Sequence, residues 1–125
     1  MQANIPGRQE RQDARVFDAT ALLKRLMGDR GLAERVLAGF LFDAPQTIAS
    51  LLKALDRSDT GAAILAAHSL KGAAANIGAS DLRDTARQME TLGKSGVLDG
   101  VRALVPELDA RWNDLRAAAE AFCQS

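Results

Sequence analysis

The chain has 125 residues, of which 47% are hydrophobic but only 4% aromatic, and 16 basic residues balance 16 acidic ones. This size and composition suit a single domain with a mostly aliphatic core. The balanced charge argues against a nucleic-acid-binding protein, and a single cysteine with a single histidine excludes both an internal disulfide and a Cys/His zinc site.

The sequence shows no signal peptide and no apolar run long enough to cross a membrane. We therefore expect a cytoplasmic protein with no membrane segment. Alanine and leucine are abundant and strand-forming residues are few, which favours helices throughout.

The amino-terminal residues are polar and have no apolar period. We expect residues 1–14 to form a disordered arm or a linker, and residues 15–125 to form the domain. Asp18 is suited to cap a short helix over residues 19–27, which Gly28 ends.

A second helix is predicted after Asp29, because apolar residues recur at three- and four-residue steps as far as Leu55. Pro45 lies within this pattern. Since proline removes a backbone donor, we expect it to kink this helix or split it near Asp43.

Three further segments complete the chain. A third helix is predicted over residues 60–77 and ends at Gly78, and a fourth begins at Ser80 or Asp81. A loose connection is expected at Gly93, Gly96 and Gly100, and Asp99 is suited to cap a last helix that reaches Phe122. The pattern predicts an all-α fold, an antiparallel up-down four-helix bundle with a short extra N-terminal helix, and a monomer.

The third helix carries the only histidine, His68. At about 100° per residue, the helix has an apolar stripe on the side opposite His68. We therefore expect this stripe to face the core and His68 to face outward. The residues of the stripe are Ala63, Ala67, Leu70, Ala74 and Ile77.

The face around His68 lacks the charged residues typical of a solvated helix surface. It is predicted to contain Ile64, Leu65, Lys71, Gly72 and Ala75. Small residues leave room for another protein to approach, and a mid-helix glycine costs about 1 kcal/mol relative to alanine. This face is either a docking surface or a widened core stripe in which Gly72 is incidental.

An exposed, neutral imidazole is a good nucleophile near neutral pH. A Ser-His hydrolase is disfavoured, because Ser69 lies on another face of the helix and no glycine-rich nucleophile elbow is present. A phosphoryl acceptor needs less: an oriented ring, an open approach and a nearby positive charge, which Lys71 provides.

Glu90 is a candidate partner for the ring. His68 lies ten residues before Gly78, and Glu90 lies ten residues after Ser80, so antiparallel helices would place them near one level. The carboxylate would then accept a hydrogen bond from Nδ1 and leave Nε2 free. The alternative is that Glu90 is an ordinary surface acid.

These residues resemble the histidine-containing phosphotransfer (HPt) domain of two-component phosphorelays. The family pattern is His-x-Leu/Ile-Lys-Gly, then small residues and a glycine ten positions after the histidine. The chain matches it with His68-Ser69-Leu70-Lys71-Gly72 and Gly78, followed by Met89-Glu90. The resemblance extends over about residues 17–122.

The resemblance implies that His68 accepts a phosphoryl group from an aspartyl phosphate on one receiver domain and passes it to another. Lys71 would lie beside the phosphoryl group, Gly72 would clear space, and Glu90 would orient the ring. Partners would be response-regulator receiver domains or a hybrid sensor histidine kinase, with Mg²⁺ supplied by the receiver. The chain would be a phosphocarrier without kinase activity, cofactor or bound metal of its own.

The resemblance also implies a docking patch of Ile64, Leu65 and Ala75, extended by second-helix residues such as Phe40 or Ala44. Two other hypotheses remain open at this stage. The chain could be the histidine-bearing domain of a chemotaxis-type kinase, phosphorylated directly by an ATP-binding domain. It could also be a helical bundle that only binds partners.

Overall fold

A computed structural model describes residues 7–125 of the chain. Within this range the backbone forms helices joined by short turns, and it contains no strand. None of these helices is both long enough and apolar enough to cross a membrane. The helices are α1 (Arg8–Val16), α2 (Ala19–Arg25), α3 (Arg30–Asp56), α4 (Thr60–Ile77), α5 (Ser80–Lys94), α6 (Leu98–Ala103) and α7 (Val105–Gln124).

The four long helices α3, α4, α5 and α7 form the bundle, and α2 is the short extra helix that the sequence predicts. Three aspartates cap helices, and two of them, Asp18 and Asp29, stand where the sequence predicts a helix to begin. The side chains of Asp18, Asp29 and Asp59 each accept a hydrogen bond from a backbone amide in the first turn of α2, α3 and α4. These caps satisfy amides that would otherwise lack a partner.

Helix α4 ends where the sequence predicts, at Gly78. This glycine has a φ of 85°, and the amide of Ala79 donates to the carbonyl of Ala74. Such left-handed endings favour glycine because it has no Cβ. Helix α5 begins at Ser80, so α4 and α5 form a tight antiparallel hairpin.

The core lies between α4 and its neighbours α3 and α5. The predicted inward stripe of α4 is confirmed, since all of its members are buried: Ala63, Ala67, Leu70, Ala74 and Ile77. Alanine at three of these five positions lets the neighbouring helices approach α4 closely. The opposite face of α4, which carries His68, is left outside the bundle.

The prediction of an unstructured amino-terminal arm is wrong for residues 8–14, and residues 1–6 lie outside the described range. Residues 8–14 form most of α1, which packs on α5 and α7. Arg15 donates hydrogen bonds to Asp81 and Asp84 of α5, and the chain then buries Phe17. The apolar pattern did not predict α1 because none of its residues is buried.

The expected split at Pro45 and the expected loose connection at Gly93 are not found in the structure. Helix α3 continues through Pro45 without splitting, because the helices packed along it offset the one missing amide hydrogen bond. Gly93 lies inside α5 and is buried, rather than in a loose connection. The predicted last helix is divided into α6 and α7 beside Pro106, which occupies the first turn of α7.

Candidate functional site

His68 lies in the middle of α4 with 62% of its side chain exposed. Its Nδ1 is 2.7 Å from Oε2 of Glu90, on the neighbouring helix α5. The prediction that the two residues share a level of the hairpin is therefore confirmed. The α4–α5 turn fixes this register, because α4 ends at Ile77 and α5 begins only three residues later at Ser80.

Glu90 is buried, with only 4% of its surface exposed, and it contacts more than the imidazole. Its Oε1 accepts a hydrogen bond of 2.6 Å from Nζ of Lys71. Nζ of Lys94 lies 3.3 Å from Oε2. A buried carboxylate needs such partners, since an unpaired charge would be costly to remove from water.

Sequence reasoning did not identify Lys94 as part of this site. The signal was present, because Glu90 and Lys94 are four residues apart on one helix, a spacing that favours an ion pair. The site therefore joins two residues of α4, His68 and Lys71, with two of α5, Glu90 and Lys94.

These contacts determine which ring nitrogen carries the proton. The hydrogen bond from Lys71 lowers the pKa of Glu90 from 4.5 to about 2, against the opposing effect of burial and with help from His68 and Lys94. Glu90 is thus an ionised carboxylate that can only accept hydrogen bonds. Nδ1 of His68 must be the donor, which leaves the lone pair of a neutral ring on Nε2.

The approach to the ring is open on the α4 surface. Gly72 and Ala75 are exposed, and a Cβ added at Gly72 would meet nothing within 4 Å. Leu65 is 67% exposed and lies on the same predicted face. A low, weakly polar surface therefore surrounds the imidazole.

The position of Ile64 differs from the predicted one, which was on the outward docking face of α4. Its side chain is only partly exposed and is directed at α5, since a Cβ added at Gly93 would lie 2.9 Å from its Cγ1. Ile64 thus belongs mainly to the α4–α5 interface.

Phe40 and Ala44, which the resemblance adds to the docking patch, are buried side chains of α3. They are only 7% and 3% exposed, and the Phe40 ring packs against Trp112. Both line the floor of a groove of about 300 Å³ between α3 and α4. The exposed aromatic residue on α3 is Phe42, at 72%.

Within residues 7–125, no three His, Cys, Asp or Glu side chains lie close enough together to hold a metal ion. The side chains of the site are an imidazole, an ionised carboxylate and two ammonium groups.

Comparison with known proteins agrees with this arrangement. The family model described as the Hpt domain matches residues 35–118, which include His68, Lys71, Gly72 and Glu90. The fold is similar to the crystal structure of the HPT domain from a hybrid sensor histidine kinase of Shewanella. That similarity has a TM-score of 0.67 at 22% identity and covers 89% of this chain and 93% of that chain. No curated protein sequence matches the chain.

Proposed function

The chain belongs to the Hpt domain family and is a phosphocarrier of a histidine phosphorelay, and from this we propose that His68 is the residue that carries the phosphoryl group. The observation that carries the proposal is the 2.7 Å contact between Nδ1 of His68 and Glu90. It leaves the lone pair of an exposed ring on Nε2, where a nucleophile is needed.

In the proposed step, Nε2 of His68 attacks the phosphorus atom of an aspartyl phosphate on a receiver domain. The Nε2–P bond forms, the P–O bond to the receiver aspartate breaks, and the aspartate leaves as a carboxylate. The proton on Nδ1 stays in place. The reverse step transfers the phosphoryl group to the aspartate of another receiver.

Glu90 contributes through charge as well as orientation. When Nε2 bonds to phosphorus while Nδ1 keeps its proton, the ring acquires a positive charge. The adjacent carboxylate stabilises that charge. Because the pKa of Glu90 is about 2, the carboxylate stays ionised near neutral pH and does not remove the Nδ1 proton.

Lys71 is the ammonium group assigned to the phosphoryl oxygens. It lies three residues after His68, on the adjacent turn of the same helix, and is partly exposed. Its contact with Glu90 holds it beside the ring before the phosphoryl group arrives. A preformed positive charge stabilises the transferring group without reorganisation.

The partners of the chain are receiver domains and histidine kinases of a phosphorelay. We assign docking to the exposed α4 surface of Leu65, Gly72 and Ala75, and the supply of Mg²⁺ to the receiver. We further assign the chain to the cytoplasm, as a monomer that has no kinase activity of its own.

The test is transfer of labelled phosphate from a phosphorylated receiver domain to the whole chain. We expect the label on the wild-type protein and no label on His68→Gln. Ser69→Ala is the matched control, since Ser69 is the exposed neighbour of His68 and should not affect labelling. Labelling of His68→Gln at the wild-type level would refute the assignment.

A further inference from the structure

Gly93 is the glycine at which an added Cβ would come closest to a neighbouring atom, and that atom belongs to α4. It is buried in the last turn of α5, and a Cβ added there would lie 2.9 Å from Cγ1 of Ile64. Carbon atoms in favourable contact are about 3.5–4.0 Å apart. A Cβ at this position would therefore fit only if Ile64 or one of the two helices moved.

This close contact lies one helical turn from the contact between His68 and Glu90. Ile64 precedes His68 by four residues on α4, and Gly93 follows Glu90 by three residues on α5. In an antiparallel pair of helices, the two contacts are successive layers of one interface. The separation of the helices at Gly93 therefore influences their separation at the imidazole.

We propose that Gly93 is a positioning residue that sets the α4–α5 separation required for Glu90 to hold Nδ1 of His68. The inference rests on the proposed role of His68 and adds a residue outside the recognised motif. Gly93 contacts neither the ring nor the phosphoryl group in this proposal. It acts through Ile64 and Glu90.

A methyl group at position 93 would change the separation of α4 and α5. Relieving the 2.9 Å contact with Ile64 requires a shift of roughly 0.6 Å or more. Ile64 cannot simply rotate away, because a β-branched side chain in a helix has one strongly preferred χ1 rotamer. The helices must then separate.

The same shift at the next layer would lengthen the contact between Nδ1 and Oε2, which is 2.7 Å, to about 3.3 Å or more, where a hydrogen bond is weak. Glu90 has little freedom to follow the ring, since its side chain is buried and Lys94 of its own helix lies 3.3 Å from Oε2. The neutral ring would then lose its fixed tautomer, and Nε2 would carry the proton in part of the population.

The direct test is the protonation of the ring in ¹⁵N-labelled protein, measured by NMR without phosphorylation. The sequence contains one histidine, so both ring-nitrogen signals come from His68. In the wild type at mildly alkaline pH we expect Nδ1 to be protonated and Nε2 to be unprotonated. In Gly93→Ala we expect the Nε2-protonated tautomer to increase and the rate of phosphoryl transfer to fall by about 10- to 100-fold.

Substitutions of Ile64 separate positioning from general damage. Ile64→Ala removes the γ carbons and makes room for the methyl group, so Gly93→Ala in that background should restore the ring signals and the transfer rate to within about twofold of Ile64→Ala alone. Ile64→Val keeps both γ carbons and should not rescue. If Gly93→Ala alone fails to fold, the double variant Gly93→Ala/Ile64→Ala still tests the proposal through its ring signals and transfer rate.

Gly39→Ala is the matched control, because Gly39 also lies inside a helix but an added Cβ would meet nothing within 4 Å. It should leave the ring signals unchanged. Wild-type ring signals in Gly93→Ala, or slower transfer with unchanged ring signals, would overturn the proposal. Failure of Ile64→Ala to rescue would also overturn it. Absence of phosphoryl uptake by the wild type would instead refute the role of His68, while the ring signals would still test Gly93.

Discussion

Nζ of Lys71 and Oε1 of Glu90 lie 2.6 Å apart, in an ion pair that joins α4 to α5. The imidazole of His68 uses the other carboxylate oxygen. Two residues of α4 therefore hold one buried carboxylate of α5 at separate atoms. Since the three side chains share one network, substitutions within it should not be additive.

The first prediction concerns stability against pH. The pKa of Glu90 falls from 4.5 to about 2 in the folded protein, so its ionised form stabilises the fold above the unfolded-state pKa. That contribution is lost as pH falls through the folded-state pKa. Glu90→Gln should be less stable than the wild type by about 1–3 kcal/mol near pH 7, and the difference should shrink towards zero between about pH 5 and pH 2.

Urea unfolding at a series of pH values measures this difference. Glu34→Gln is a suitable control, because Glu34 forms an ion pair with Arg30 in which both side chains are exposed, and such pairs contribute little. Its difference from the wild type should stay within about 0.5 kcal/mol at every pH. A Glu90→Gln difference that does not change with pH would contradict the assigned pKa.

The second prediction compares the two lysines that contact Glu90. Lys71 lies close to Glu90 and on the helix that carries His68, whereas Lys94 is exposed and 3.3 Å from Glu90. We expect Lys71→Met to slow phosphoryl transfer about tenfold or more, because it removes the charge assigned to the phosphoryl oxygens. Lys94→Met should slow it by less than about threefold.

Initial rates of label transfer from one receiver, at saturating receiver concentration, measure the two effects. Methionine keeps much of the aliphatic length of lysine, so lost packing is limited in both variants. A larger effect at Lys94 than at Lys71 would reverse the assignment of the two ammonium groups.

The third prediction concerns Gly72, which is exposed inside α4 and has space for a Cβ. Gly72→Ala should raise the free energy of unfolding by up to about 1 kcal/mol, because alanine favours helix more than glycine does. It should nevertheless slow exchange with a receiver, since the methyl group raises the surface beside the imidazole.

Thermal or urea unfolding and transfer kinetics measure these opposite effects. Gly39→Ala should give a similar gain in the free energy of unfolding without slowing transfer, because Gly39 lies on α3, outside the α4 surface assigned to docking. Equal transfer rates for Gly72→Ala and the wild type would show that Gly72 is not needed for access.

The fourth prediction separates docking from packing. Leu65 is exposed on the proposed docking surface, whereas Phe40 is buried against Trp112. Leu65→Glu should leave the free energy of unfolding within about 0.5 kcal/mol of the wild type and raise the receiver concentration needed for half-maximal transfer. Phe40→Ala should destabilise the fold by about 3–5 kcal/mol.

Receiver titration and urea unfolding of the same two variants give the comparison. If Leu65→Glu needs the same receiver concentration as the wild type for half-maximal transfer, Leu65 lies outside the docking surface. Should Phe40→Ala keep wild-type stability, the burial of its ring would not be important for the core.

Much of the site could be predicted from local pattern. The outward direction of His68 followed from the apolar period of α4, and the position of Glu90 followed from counting residues on each side of the Gly78 turn. Both inferences use regular geometry within one hairpin. The end of α4 at Gly78 was predictable for the same reason, because glycine is the residue that suits a positive φ there.

Other features depend on contacts that the pattern of one segment does not contain. Helix α1 has no buried residue, and Arg15 links it to Asp81 and Asp84 of α5, so its own sequence carries little apolar signal. Gly93 was interpreted as part of a loop because glycine is typical of loops. Its burial inside α5 is explained only by the side chain of Ile64 on another helix.

The short hairpin also affects how the chain can assemble. His68 and Lys71 are only 22 and 19 residues from Glu90 in sequence, whereas the contact of Arg30 with the carboxyl end of α7 spans 92 residues. The entropy lost on closing a loop rises with its length, and local contacts form faster than distant ones. The reactive centre therefore needs only α4, α5 and one turn to come together, whereas the contact of Arg30 requires α3 to meet α7.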